Sequence, residues 1–310
     1  MNRTHRALVL AFTVLVAIMV ASCGDDDDTG TNPVGPGVSW TIRSTGTNAT
    51  LFDVAFKDSL WVAVGQRGVI LTSTDTELWT VQPTDFTLDL YGITAGEGRF
   101  VAVGLQGLIV TADDGITWEV ADSAASSGFF FDIAWSGTDF IAVGQGGLVA
   151  LSPDGLTWNI VPTKVTATLY GVTGAADRFT AVGNGVILAI DDITYNTGDT
   201  ITADQVLASP SAVLYDIAYN DTSYIAVGQN GTLLISSDDS TWETGLSGTN
   251  SYFFGIEWSG TEWVVVGENG LELLSPDGEN WSIAATGKDD LRGLLWDGAR
   301  YIAVGVSGAI

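Results

Sequence analysis

The chain has 310 residues, 46% of them hydrophobic, with 11 Trp and a formal net charge of −26. That much apolar residue in one chain supplies a large core, which excludes intrinsic disorder for most of its length. Eleven Lys and Arg against 37 Asp and Glu leave no basic stripe for phosphates or anionic lipid heads, which excludes nucleic acid and electrostatic membrane docking.

Residues 1–22 read as a signal peptide. Arg3, His5 and Arg6 form a positive start, and Ala7 to Ala21 is an apolar run too short for a membrane-spanning helix. The run ends in Val20-Ala21-Ser22-Cys23, which resembles the lipobox of bacterial lipoproteins. The resemblance implies cleavage before Cys23 and lipidation of that cysteine; the other reading is an ordinary secretory signal with a stray cysteine. Several acyl chains anchor stably where one binds only marginally. Gly24 stands where an aspartate would mark inner-membrane retention, so the expected location is the bacterial cell envelope, periplasmic or at the cell surface, with the outer membrane favoured. Residues 23–37, including Asp25 to Asp28 and TGTNPVGPG, read as an acidic tether too polar and too rich in Gly and Pro to pack.

From residue 38 to 310 one unit of about forty residues recurs seven times. An aliphatic mark falls at Val54, Ile93, Ile133, Val172, Ile217, Ile256 and Leu294, after an apolar-aromatic pair such as Leu214-Tyr215. A glycine follows at Gly65, Gly104, Gly144, Gly183, Gly228, Gly267 and Gly305. Each copy reads as four short strands, a to d, with a tight a–b turn, a glycine-bounded b–c turn and an Asp-centred c–d turn. The expected fold is all-β: a monomeric, seven-bladed β-propeller of four-stranded blades. The seventh copy stops at Ile310, just inside strand c, while Val38 to Ile42 is an orphan strand d. Closure of the ring by this N-terminal strand is therefore expected, because it removes an open edge.

The fourth copy is irregular. It has Tyr195 where others have tryptophan, followed by a longer loop, Thr197 to Val213. The c–d turns, STDTELW, ADDGITW, SPDGLTW, SSDDSTW and SPDGENW, look like the Asp-box of bacterial neuraminidase repeats. Their aspartates are read as structural, since Asp bonds main chain two residues on.

His5 is the only histidine and Cys23 the only cysteine, so a processed chain has neither Ser-His nor Cys-His catalysis and no imidazole or thiolate metal ligands. No metal site and no cofactor are expected. Arg99, Arg178 and Arg300 share one position in separate blades, so they cannot converge on a sialic acid carboxylate. Asp53, Asp132 and Asp216 share one position in strand a, and the same copies carry Gln66, Gln145 and Gln229 thirteen residues later. The other copies have glycine there (Gly92, Gly171, Gly255, Gly293), paired with Leu105, Asn184, Glu268 and Val306. With Asp53 opposite about Val64, Gln66 is expected within reach of it. Either these pairs secure the b–c turn, or together with Glu268 they form an anionic channel mouth for a cation or an amine- or hydroxyl-rich ligand.

The unit LYGITAGEGRFVAVGLQGLIVTADDGITW resembles the repeat of the photosystem II stability and assembly factor family and its bacterial propeller relatives. The resemblance covers residues 38–310 and implies a non-catalytic propeller that holds partner proteins. Of the 11 Lys and Arg, two (Arg3 and Arg6) precede Cys23, and the remaining nine give no counterpart to that family's basic patch. The leading expectation is a non-catalytic, lipid-anchored extracytoplasmic propeller binding a protein or glycan on one face. The alternative is a carboxylate-based glycoside hydrolase or lyase on a sialidase-like scaffold, which needs two carboxyls about 5–10 Å apart at the mouth.

Overall fold

A computed structural model describes residues 40–123, 128–175, 178–190, 203–207 and 212–310. Each repeat begins with an inner strand: Leu51–Lys57, Leu90–Gly96, Phe130–Trp135, Leu169–Ala175, Leu214–Tyr219, Phe253–Trp258 and Leu291–Trp296. Each pairs antiparallel with the strand that ends on the repeat's Val-Gly. The inner strands also lie beside one another around a central channel, with Leu51–Lys57 next to Leu291–Trp296.

Six repeats make four-stranded blades. The seventh makes only a two-stranded sheet, Leu291–Trp296 with Tyr301–Gly305. This corrects the expectation of seven four-stranded blades closed by an N-terminal strand. In the first blade strand d pairs at Leu71 and Thr72, six and seven residues after Gly65. After Gly305 the chain enters the turn Val306–Gly308, and Ala309 and Ile310 join no ladder, so among the described residues no strand d pairs there. The segment before Leu51 packs through side chains instead, and residues 40–50 join no ladder. Trp40 lies on the cluster of Val264, Leu291 and Tyr301, and its Nε1 donates to Glu272 Oε2. Thr45 Oγ1 donates to Gly308 O at 3.0 Å. Thr84 makes the same bond to Gly68, Thr163 to Gly147 and Ser247 to Gly231.

The fourth blade also differs from expectation. Its last strand is Ala203–Leu207, inside the stretch read as a long loop, paired with Val186–Ile190. Tyr195 and much of 197–213 lie outside the described residues. The third blade gains a fifth strand, because Asp122–Ser123 runs parallel to Thr157–Val161.

The core is distributed between blades. Ile141, Val143 and Val149 of the third pack on Leu169, Val172 and Phe179 of the fourth, and each such side chain is worth about 1.5–3 kcal/mol on burial. Trp158 is only 2% exposed, and its Nε1 donates to Gly155 O. The c–d aspartates lock their turns. Asp238 Oδ1 accepts the N–H groups of Ser240 and Thr241 at 2.9 and 2.8 Å, and these bonds hold its carboxyl down to about 2. Asp75, Asp114, Asp154 and Asp277 accept in the same way.

Candidate functional site

The site is built from a backbone irregularity repeated in every inner strand. In the first blade Leu51 faces Gly65 but Asp53 faces Val64, so Phe52 is the extra residue of a β-bulge. The same jump occurs between the equivalent residues of the other six inner strands. A bulge re-aims the side chain it carries. Six of the seven bulge residues are aromatic, and neighbouring rings pack tilted against one another around the channel mouth. Ring centroids are 4.8 Å apart for Phe52–Tyr91, 5.4 Å for Tyr91–Phe131, 5.2 Å for Phe131–Tyr170, 5.6 Å for Tyr170–Tyr215 and 5.5 Å for Tyr215–Phe254. The seventh position is Arg292, whose guanidinium carbon sits 4.0 Å from the Phe254 centroid. Its Nη2 pairs with Asp290 Oδ2 at 2.8 Å. The result is a half-buried collar of six rings completed by one paired cation.

One step further along the strands lie the predicted aspartates. Asp53 Oδ2 accepts the N–H of Ile93 at 2.8 Å, Asp132 Oδ2 that of Val172 at 2.7 Å, and Asp216 Oδ2 that of Ile256 at 2.8 Å. Each Oδ1 accepts the N–H of the next residue in its own strand, at 2.7–2.8 Å. Each carboxylate therefore staples its blade to the following one. The glycines at this position make room for the staples. A Cβ on Gly92 would lie 2.9 Å from Asp132 Cα, on Gly171 2.7 Å from Asp216 Cα, and on Gly293 2.8 Å from Asp53 Cα. The alternation of Asp and Gly is thus a packing solution for crowded inner strands.

The carboxyls keep some surface toward the channel but are deep in the fold, and burial outweighs their hydrogen bonds. Asp53 is pushed up to about 7 and Asp216 to about 6. Asp132 is raised well above the usual range, by burial first and then by Asp216 and Asp53. Glu257, on the sixth inner strand, joins them at about 8, through burial and then the charge of Asp216. Among the described residues no group of acidic, His or Cys side chains is arranged to hold a metal ion.

The glutamines do not meet the aspartates. Gln66 Oε1 accepts the N–H of Thr50 at 3.1 Å, Gln229 Nε2 donates to the Tyr215 hydroxyl at 2.9 Å, and Glu268 Oε2 accepts the N–H of Tyr252 at 3.3 Å. Gln145 is exposed at the head of its turn. The bulge is the reason: it puts position 66 beside Thr50, across the collar from Asp53. Nothing in the structure explains why aspartate and glutamine occur in the same copies. Arg99, Arg178 and Arg300 sit apart, each with its own acid, Asp113, Asp239 and Asp297. Cys23 lies outside the described residues.

Sequence reasoning missed the collar itself. Its signal was the aromatic residue before each Asp or Gly, at positions 52, 91, 131, 170, 215 and 254, broken by Arg292.

No family model matches the chain, and no curated protein matches it in sequence. Solved structures do match the fold. YCF48 bound to D1 peptide is similar at a TM-score of 0.69 with 16% identity, covering 85% of this chain and 91% of that one. YCF48 from Cyanidioschyzon merolae gives 0.67 with 15% identity over 85% and 95%. The WD40 β-propeller domain of Doa1 gives 0.67 with 12% identity over 85% and 92%. At these identities the likeness shows a shared all-β propeller architecture.

Proposed function

We propose that this protein is a lipid-anchored extracytoplasmic binding module whose collared channel mouth holds a segment of a partner protein. Residues 1–22 direct export, Cys23 carries the lipid, and residues 23–37 space a propeller of residues 38–310 from the outer membrane of a bacterial envelope. The observation that carries the binding role is the collar: six half-exposed aromatic rings on one face, where such side chains supply contact area at low entropic cost. YCF48, similar in fold, has been solved with D1 peptide, which supports a peptide segment as the kind of partner. The glycosidase alternative loses its support, since it needs carboxyls open to a sugar. Here both oxygens of each channel aspartate are committed to main-chain N–H groups.

The test is site-specific photo-crosslinking in cells. A crosslinker at Gln145, beside the mouth, should capture a discrete partner, one at exposed Glu119 on the outer edge should not, and Phe131→Ala should abolish capture. Equal capture from both positions, or capture indifferent to Phe131→Ala, sinks the reading. Labelling with a radioactive fatty acid should mark the wild type and spare Cys23→Ser.

A further inference from the structure

We propose that the collar recognises its partner through one basic side chain, an arginine or lysine, seated in the channel mouth; this rests on the binding role proposed above. Three observations converge on it. An aromatic face carries negative potential, and six half-exposed rings tilted against one another at the channel mouth gather such faces where a cation could reach them. The protein already demonstrates the contact, because Arg292 stacks its guanidinium on Phe254 at 4.0 Å as the seventh member of the collar. Asp290 neutralises that arginine at 2.8 Å, so it does not repel a second cation.

Beyond the rings, Asp53, Asp132, Asp216 and Glu257 line the same channel and feel one another's charge. A cation in the mouth would favour the ionised form of these carboxyls, whereas an acidic or neutral side chain would not. The whole chain, at a formal charge of −26, steers a basic segment toward it and an acidic one away. Alkyl stem against the rings and charged head toward the carboxylates is how long basic side chains divide themselves between apolar and polar surroundings.

The test uses the full-length chain and three capped peptides with the same Gly-Ser flanks and a central Arg, norleucine or Glu. Dissociation constants would be read by fluorescence polarisation against wild type, Phe131→Leu, Tyr170→Leu and an outer-edge control, Glu243→Gln. Phe131 and Tyr170 are half-exposed, and thermal melts check that both variants remain folded. The Arg peptide should bind at least tenfold more tightly than the norleucine peptide. Either collar substitution should weaken it at least fivefold, and Glu243→Gln should not. Equal binding of the Arg and norleucine peptides, lost in Phe131→Leu, would overturn this inference while leaving the mouth as the partner site. An Arg preference that survives both collar substitutions would be attraction to surface charge and would overturn the inference and the binding role together. Absence of binding by any peptide would overturn the inference alone.

Discussion

Asp239 of the fifth blade is 1% exposed at its side chain and lies 3.2 Å from Arg178 Nε of the fourth. Its Oδ2 also accepts the Thr180 hydroxyl at 2.7 Å. The residue sits at φ 58°, where the third and sixth blades have Gly155 and Gly278 at φ 70° and 79°. A charge thus takes a glycine's place in the turn because the neighbouring blade supplies its partners. Asp239→Ala should cost about 2 kcal/mol, below the full penalty for breaking a buried pair, since Arg178 keeps about a third of its exposure. Asp239→Gly should cost less, because the left-handed backbone is relaxed. Urea unfolding of the three proteins decides; equal stability of Asp239→Ala and wild type would refute it.

The channel staples make a second prediction. Asn offers one acceptor oxygen where Asp132 uses two, so Asp132→Asn leaves an amide N–H₂ facing a main-chain N–H. The expected loss is about 2 kcal/mol. Gly92→Ala should be worse than an exposed glycine substitution, since the added methyl would meet the Asp132 main chain at 2.9 Å. Denaturant melts that leave both variants at wild-type stability would remove the packing account of the Asp-Gly alternation.

Stability should fall as pH rises through neutrality. Folding raises Asp53 and Glu272 to about 7, Asp216 to about 6 and Glu257 to about 8. A carboxyl raised by folding holds its proton more tightly folded than unfolded. Its contribution is full below the unfolded value near 4 and is lost as pH climbs through the folded value. The turn aspartates act oppositely: Asp238, held at about 2, loses its contribution as pH drops below about 4. Tm should therefore peak in weak acid, near pH 5, and decline toward pH 8. A profile rising from pH 5 to pH 8 contradicts this.

Trp40 and Glu272 give a pH-resolved test of the N-terminal segment. Glu272 is 0% exposed, its Oε1 has no hydrogen-bond partner among the described residues, and Trp40 Nε1 serves Oε2. Trp40→Phe should cost about 2 kcal/mol at pH 8, where the bond serves a charged acceptor, and about 1 kcal/mol at pH 5. Chemical denaturation at the two pH values checks it; a loss independent of pH would mean that Glu272 stays neutral throughout.

The propeller was legible because its grammar is local. Val-Gly closes strand b, Asp bonds its own turn, and the aliphatic marks repeat with the pleat, so strand class and register followed, including Asp53 opposite Val64. Blade count was misread because the seventh copy's strand d depends on partner residues rather than on the Trp40 segment's own pattern. The strand at Ala203–Leu207 was read as loop because its pairing with Val186–Ile190 spans an insertion that breaks the period. The Asp-Gln reading failed on one residue: the bulge at Phe52 shifts Gln66 away from Asp53. The same bulge concealed the collar, since six aromatics forty residues apart look like six separate core positions until the strands are arranged around an axis.

Arg292 gives the collar a property that repetition alone would deny it. Identical subsites around a ring would let a ligand settle in several equivalent rotations, each a different pose of everything attached to it. One guanidinium among six rings removes that degeneracy and marks a single direction across the channel. A partner segment held as proposed would thereby be given a compass bearing, one orientation among the seven that the repeat would otherwise offer.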